Sequence, residues 1–424
     1  MTNPAFSSWR DGFRYGLLGL PLAFVALPLY VILPNHYARE FGVPLATLGA
    51  ILLGARLFDA FIDPLLGRWS DRLFARSIHA VLVFGAVAAG VLGIGFALLF
   101  FPITREPRAL LIWASVLLVL TYAAYSALSV AHQSWGAMLG GDEAQRSRIV
   151  AWREGLGLLG VVLASITPVA LGLPWTIALF FIALSAGWLA WARAVQPRAR
   201  ATFKTGNVWL PFAQPAFRRL LAVFMLNGIA SAIPATLLLF FVQDRLQAPQ
   251  ALEPVFLGSY FLCAALAIPV WLKVVTRIGL ARTWGLGMLL CIAVFMFATQ
   301  LGPGDTAGFI GVCALSGVAL GTDLTLPAAL LAGLIHEAGG RGRAEGAYFG
   351  WWNFATKLNL ALAAGVALPL LGAFGYAPGV RSEAALQALV VAYCVLPCAL
   401  KLGAAIALYF LIIRPAGKSL KVLS

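Results

Sequence analysis

The sequence predicts an all-α membrane protein, with twelve transmembrane helices in two six-helix halves. Three observations carry this. Of the 424 residues, 61% are apolar and only 11% charged, whereas a soluble domain carries about a quarter of its residues charged. Apolar runs of about 18 residues or more, long enough to cross a bilayer, recur from end to end, and the mean hydropathy is +0.90. Positive charge gathers on alternate connections, the pattern by which membrane helices are oriented.

Taken in order, the predicted spans are 14–34, 44–67, 78–101, 109–138, 149–172, 174–194, 217–242, 253–276, 281–300, 306–335, 344–372 and 383–414. The opening stretch, MTNPAFSSWRDGFRYG, does not read as a cleavable signal: the apolar run after it is too long and lacks a small-residue cleavage site. With the N-terminus placed inside, twenty-two of the 30 Lys and Arg fall on inside segments, counting the inside ends of the spans with them, five on outside loops, and three (Arg56, Lys357 and Lys401) deep within spans. Both termini are therefore expected on the cytoplasmic side. Membrane orientation also accounts for the net charge of +14 without a nucleic-acid partner. The longest inside connection, 195–216, is polar, basic and contains three Pro. It divides the chain into an N-terminal six-helix bundle, 1–194, and a C-terminal one, 217–424. Carriers built from repeats place their ligand near mid-membrane between such halves. The five Cys (Cys263, Cys291, Cys313, Cys394 and Cys398) lie within apolar runs without metal spacing and read as small hydrophobes.

The second span breaks its apolar pattern with RLFDAFIDPLLGRWSDR, residues 56–72. Asp59 and Asp63 are four apart and share a helical face, with Arg56 three before Asp59. A charge at the centre of a membrane helix costs about 2.5–3.5 kcal/mol on insertion scales, so these residues should pair or line a wet cavity. Two carboxylates one turn apart favour a shared proton or a bound monovalent cation. A structural bridge from Arg56 to one Asp is the plainer reading, but it leaves the second carboxylate unexplained. Pro64 frees a backbone carbonyl and can bend the helix. Lys357, mid-way along the eleventh span, offers a cation to these anions; snorkelling to an interface is disfavoured by the apolar helix beyond it. On the fourth span, Tyr125, Ser126, Ser129, His132, Gln133 and Trp135 form a polar and aromatic stripe suited to a hydroxyl-bearing ligand or to helix–helix contact. Asp323, Trp352 and Asn353 are further candidate ligand contacts, and Asn227, Trp351 and Thr356 are similar cases. Lys401 is expected at most to pair locally.

GRWSDR, from Gly67 to Arg72 at the end of the second span, resembles the signature loop of the major facilitator superfamily. Together with ARLFDAFIDPLLGRWSDR, DEAQRSRIVAWRE and RGRAEGAYFGWWNFATKLNLAL, the chain resembles the glycoside–pentoside–hexuronide:cation symporters, whose best-known member is the melibiose permease. The resemblance implies that Asp59 and Asp63, with the Ser126 hydroxyl, form a cation site; the two Asp would be metal ligands only under sodium coupling. It implies coupling by Lys357 and Arg56, and gating by Gly67, Asp71, Arg72, Arg153 and Glu154. Two departures matter. Ile62 stands where the melibiose permease has a cation-binding Asn, and losing that oxygen favours a proton over sodium, since hard cations want several oxygens. Ala23 and Ser129 stand where the sugar-binding carboxylates would be, which argues against galactosides.

The expectation is a cation-coupled symporter of a small organic solute, a glycoside or related sugar, working by alternating access as a monomer among membrane lipids, with no cofactor besides the coupling H+ or Na+. The alternative is a carrier of lysophospholipids or other amphiphiles on the same fold. An enzyme is not expected: the four His are scattered and no HExxH, GxSxG or phosphate-cradling loop occurs. A passive channel would not need paired acids and a facing Lys.

Overall fold

The computed structural model describes residues 8–43, 45–197, 208–339, 344–376 and 382–415. These residues are helical at each of the twelve predicted spans. The helices are α1 (Trp9–Gly16), α2 (Gly19–Leu27), α3 (Leu33–Phe41), α4 (Leu45–Arg76), α5 (Ile78–Phe100), α6 (Pro107–Leu139), α7 (Glu143–Ala170) and α8 (Leu173–Ala192), then α9 (Pro215–Phe240), α10 (Glu253–Ile278), α11 (Leu280–Ala298), α12 (Thr306–Glu337), α13 (Glu345–Ala373), α14 (Glu383–Val390) and α15 (Leu396–Leu408). Among the described residues, nine helices are long and apolar enough to cross a bilayer. The predicted first span is shared by α1, α2 and α3, with a π turn at Pro28–Ile32, and the twelfth by α14 and α15, with one at Val391–Val395. Each turn lies beside a proline, Pro28 in the first and Pro397 just after the second, and a proline cannot donate to the helical ladder.

Helix starts follow their capping residues. Asp142 accepts from Gln145 N at 2.8 Å to open α7, Ser77 accepts from Ala80 N at 3.0 Å to open α5, and Glu106 accepts from Ala109 N at 2.6 Å to open α6 behind Pro107. Each satisfies a backbone donor that has no partner within the helix. Gly279, with φ 82°, makes the sharp turn between α10 and α11, a conformation that costs glycine little.

The chain divides into two compact units, residues 1–211 with 332–354, and residues 212–331 with 355–424. In the first unit a core of Phe24, Phe96, Phe180, Trp135 and Trp191 fills the interior. In the second, Phe241 stacks on Tyr393 with centroids 4.2 Å apart, and Phe256 meets Phe309 edge-on. Of the predicted linker 195–216, residues 198–207 lie outside the described residues; Val208 O accepts from Trp351 Nε1 at 2.8 Å.

α4 differs from the sequence expectation in one respect. It does not stop at the end of its apolar run but continues through Gly67–Arg72 to Arg76, so the signature segment is helix rather than loop. The continuation places Gly67 against α13: a Cβ there would run into the Gly346 carbonyl, and one on Gly346 into the Gly67 carbonyl. Small residues are what allow membrane helices to approach this closely. Gly67→Val is expected to lower the melting temperature of the purified protein and to reduce its yield, whereas Gly54→Val, in open space on the same helix, leaves both near wild type.

Candidate functional site

α4 reverses the pattern of a soluble helix. Leu53, Leu57, Phe61 and Leu65, spaced four apart, are exposed, with Phe61 at 66%, while Asp59 and Asp63 on another face are 3% and 0% exposed. In a bilayer the apolar stripe belongs outside and the polar one inside, because lipid tails offer carboxylates no hydrogen bonds. α6 supplies the facing surface. Its residue Ser126, fully buried, donates from Oγ to Asp59 Oδ1 at 2.6 Å. Asp59 and Ser126, 67 positions apart in sequence, thus meet inside the first unit. Asp63 lies one turn along the same buried face. Arg56 is exposed, and Lys357 is half-buried on the part of α13 that belongs to the second unit.

One turn beyond Gly67, the Asp71 carboxylate receives Gly346 N on Oδ1 at 2.6 Å and Ala347 N on Oδ2 at 2.9 Å. These are unpaired donors of the first turn of α13, where a carboxylate also meets the positive end of the helix dipole. Arg153 and Glu154 pair side by side on α7, through Arg153 Nε at 2.9 Å and Nη2 at 2.5 Å to one Glu154 oxygen. Arg72 is exposed.

The predicted ligand stripe on α6 separates into two groups. His132 is fully buried, its Nε2 lies 2.8 Å from Tyr15 O, and Tyr15 Oη donates back to His132 O at 3.1 Å. Trp135 donates to Val195 O at 2.9 Å and meets Trp191 edge-on. Both side chains are thereby engaged in the packing of α6 against its neighbours. Tyr125 and Gln133 are partly exposed and Ser129 is 8% exposed. Trp352 is buried and Asn353 half-buried on the first-unit part of α13.

The second unit holds a polar cluster that the sequence reading did not assemble. Asp323 on α12 accepts on Oδ1 from Asn227 Nδ2 at 3.0 Å and Trp284 Nε1 at 2.8 Å, and on Oδ2 from Lys401 Nζ at 2.9 Å and Ser231 Oγ at 3.2 Å. Lys401 spends its other two protons on Asn227 Oδ1 at 2.8 Å and Ser231 Oγ at 3.0 Å. A carboxylate offers about four acceptor sites and an ammonium three donors, so both ions are saturated. Asp323 and Lys401 are 78 residues apart, so helical spacing could not pair them. The available signal was one acid, Asp323, and two bases, Lys357 and Lys401, within apolar runs of the same half, which leaves open which base the acid meets. At the end of the same unit, Tyr376 Oη donates to Asp244 Oδ2 at 2.5 Å, and burial followed by this bond pushes the phenol up from its ordinary range.

Comparison with known proteins agrees with this architecture. The MFS/sugar transport protein family matches residues 14–414. The chain belongs to that family. It is similar to YagG of Escherichia coli, named as a glycoside/cation symporter, with 26% identity over 153 residues, 36% of this chain and 33% of that protein. To YjmB of Bacillus subtilis, named as a symporter, it is 22% identical over 90% of this chain and 86% of that one. The chain thus aligns with only about a third of YagG and with most of YjmB. Its fold is similar to that of a bacterial homologue of the iron transporter ferroportin in an outward-facing state, with TM-score 0.73, 17% identity, and 95% and 98% of the two chains covered. It is also similar to the E. coli fucose:proton symporter FucP, with TM-score 0.67, 14% identity, and 94% and 98% covered. The family is one of transporters, not enzymes, and its fold is the membrane-spanning major facilitator fold.

Removing one partner of a buried ion pair strands the other, at a cost of about 3–5 kcal/mol. Lys401→Met and Asp323→Leu are each expected to destabilise the purified protein sharply. The double variant, which leaves no lone charge, is expected to recover much of the loss in a thermal melt. Additive losses would show that the two side chains act independently.

Proposed function

We propose that the chain is a cation-coupled symporter that carries a small sugar-like solute through a bacterial inner membrane by alternating access. Both termini face the cytoplasm, and the protein works as a monomer, without a nucleic-acid partner, from six-helix halves 1–194 and 217–424 joined by the 195–216 linker. The observation that carries this reading is the Ser126–Asp59 hydrogen bond on the buried face of α4, with Asp63 one turn away and a lipid-facing stripe of Leu and Phe on another face. A carboxylate pair in that setting changes charge when a small cation arrives, and the charge governs which helix arrangement is affordable. The glycoside/cation symporter among the relatives supports both halves of the reading.

In this mechanism Asp59, Asp63 and the Ser126 hydroxyl take up the cation. Lys357 links its presence to the solute, with Arg56 balancing charge. Ile62 adds no oxygen between the two Asp, so the coupling ion is a proton, which needs only a carboxylate; in a sodium carrier the same two Asp would be the metal ligands. Tyr125, Ser129, Gln133, Trp352 and Asn353 supply the hydroxyl, amide and indole groups that recognise a polyhydroxylated solute. Asp71 of α4, set against the first turn of α13 with Gly67 beneath it, closes one gate: the hydrogen bonds it accepts from Gly346 N and Ala347 N must break whenever α4 and α13 part. Arg72, Arg153 and Glu154 serve the same side.

The test is uptake of candidate glycosides, uronides and lysophospholipids into proteoliposomes under an imposed gradient. A one-unit pH gradient, worth about 1.4 kcal/mol per proton, supports about tenfold accumulation of a neutral solute. Asp59→Asn and Asp63→Asn are expected to reduce accumulation to simple equilibration, and Ser126→Ala to weaken it. Accumulation driven by sodium alone would reassign the coupling ion. Uptake of lysophospholipid with every sugar inert would replace the sugar reading, and accumulation unchanged in both amide variants would overturn the cation site. Asp71→Asn is expected to keep solute binding but slow exchange across the membrane.

A further inference from the structure

The second unit contains a cavity of about 150 Å³, set among α9, α10, α11, α12 and α15 and walled by five aromatic rings: Phe256, Tyr260, Phe261, Phe295 and Tyr393. Its polar end is formed by Asp323, Ser231 and Lys401, and Cys291 sits in its wall. Ala235 and the exposed Leu257 stand at its edge. Symport as described above does not use this space.

The chemistry of the walls selects the occupant. The ion pair at the polar end is saturated, so a charged or strongly hydrogen-bonding guest could bind there only by breaking bonds already made. The guest is therefore uncharged and apolar. Within a bilayer, an alkyl chain gains no hydrophobic free energy by leaving lipid for such a cavity, because the tails it leaves are equally apolar. An aromatic ring gains something lipid cannot give: edge and face contacts with the wall rings, and the field of the Lys401 ammonium, which acts on a ring face although its protons are committed. Apolar cavities of about 150 Å³ accept a molecule the size of benzene. We propose that this cavity is a binding site for a small uncharged aryl group, either free or as the apolar end of a larger neutral ligand.

The site is separate from the cation pair, so its failure would leave the uptake result standing, and loss of coupling would leave this site standing. Cys291 provides the readout, with Cys263, which does not line the cavity, as an internal reference on the neighbouring helix. The full-length protein in nanodiscs is treated with benzyl methanethiosulfonate or with its pentyl counterpart, and peptides are quantified by mass spectrometry. Normalised to Cys263, Cys291 is expected to favour the benzyl reagent by about fivefold, the ratio contributed by one aromatic pair. Toluene is expected to protect Cys291 and not Cys263. Ala235→Trp, which places an indole at the edge, is expected to suppress labelling at Cys291 with Cys263 unchanged. Equal benzyl and pentyl labelling would mark the cavity as a groove for lipid tails and overturn the proposal. Absence of toluene protection, or no reaction at Cys291 in the wild-type protein, would overturn it too.

Discussion

A charged side chain inside a helix bundle in lipid has no water to retreat to, and much of this structure follows from that. The cost of a charge at mid-helix, about 2.5–3.5 kcal/mol on insertion scales, is recovered only through partners that the fold itself delivers. α4 therefore turns its Leu and Phe stripe outward and its two carboxylates inward, and α6 brings the Ser126 hydroxyl to Asp59. α12 and α15 bring Asp323 and Lys401 together under the cover of Asn227, Ser231 and Trp284.

The two buried acidic sites answer the same constraint differently. Asp323 already holds a cation, but one tethered to α15 and bonded on every proton; it ties α9, α11, α12 and α15 into one piece and offers little to a visiting ion. Beside Asp59 the structure places a neutral hydroxyl, a group that can orient a carboxylate without fixing its charge. Asp323, expected as a ligand contact, has its acceptor positions taken by Asn227, Trp284, Lys401 and Ser231.

The fold was legible because its signals are local. Apolar run length locates a helix at every predicted span, while α4 runs past its expected end at 67 to Arg76 and α7 opens at Glu143 rather than 149. That Asp59 and Asp63 share a buried face is legible from their spacing of four. What could not be read was which helix faces which. Ser126 was assigned to the cation site through family resemblance, since nothing in residues 120–130 points to residue 59. Lys401 was set aside because its partners lie 78 and more residues upstream. His132 and Trp135 had the chemistry of ligand contacts, but a polar stripe does not disclose whether solute or Tyr15 and Trp191 will cover it. The resemblance makes Gly67–Arg72 a loop; in the structure it is helix, with Gly67 and Asp71 in contact with α13.

The central claim is that the α4 carboxylates exchange a small cation while buried. Infrared difference spectroscopy on the purified protein tests it most directly. Stepping the pH, or adding sodium at fixed pH, should change a protonated-carboxyl stretching band that disappears when Asp59 and Asp63 are both replaced by Asn. A band that persists in that double variant, or no carboxyl change under either step, would contradict the account.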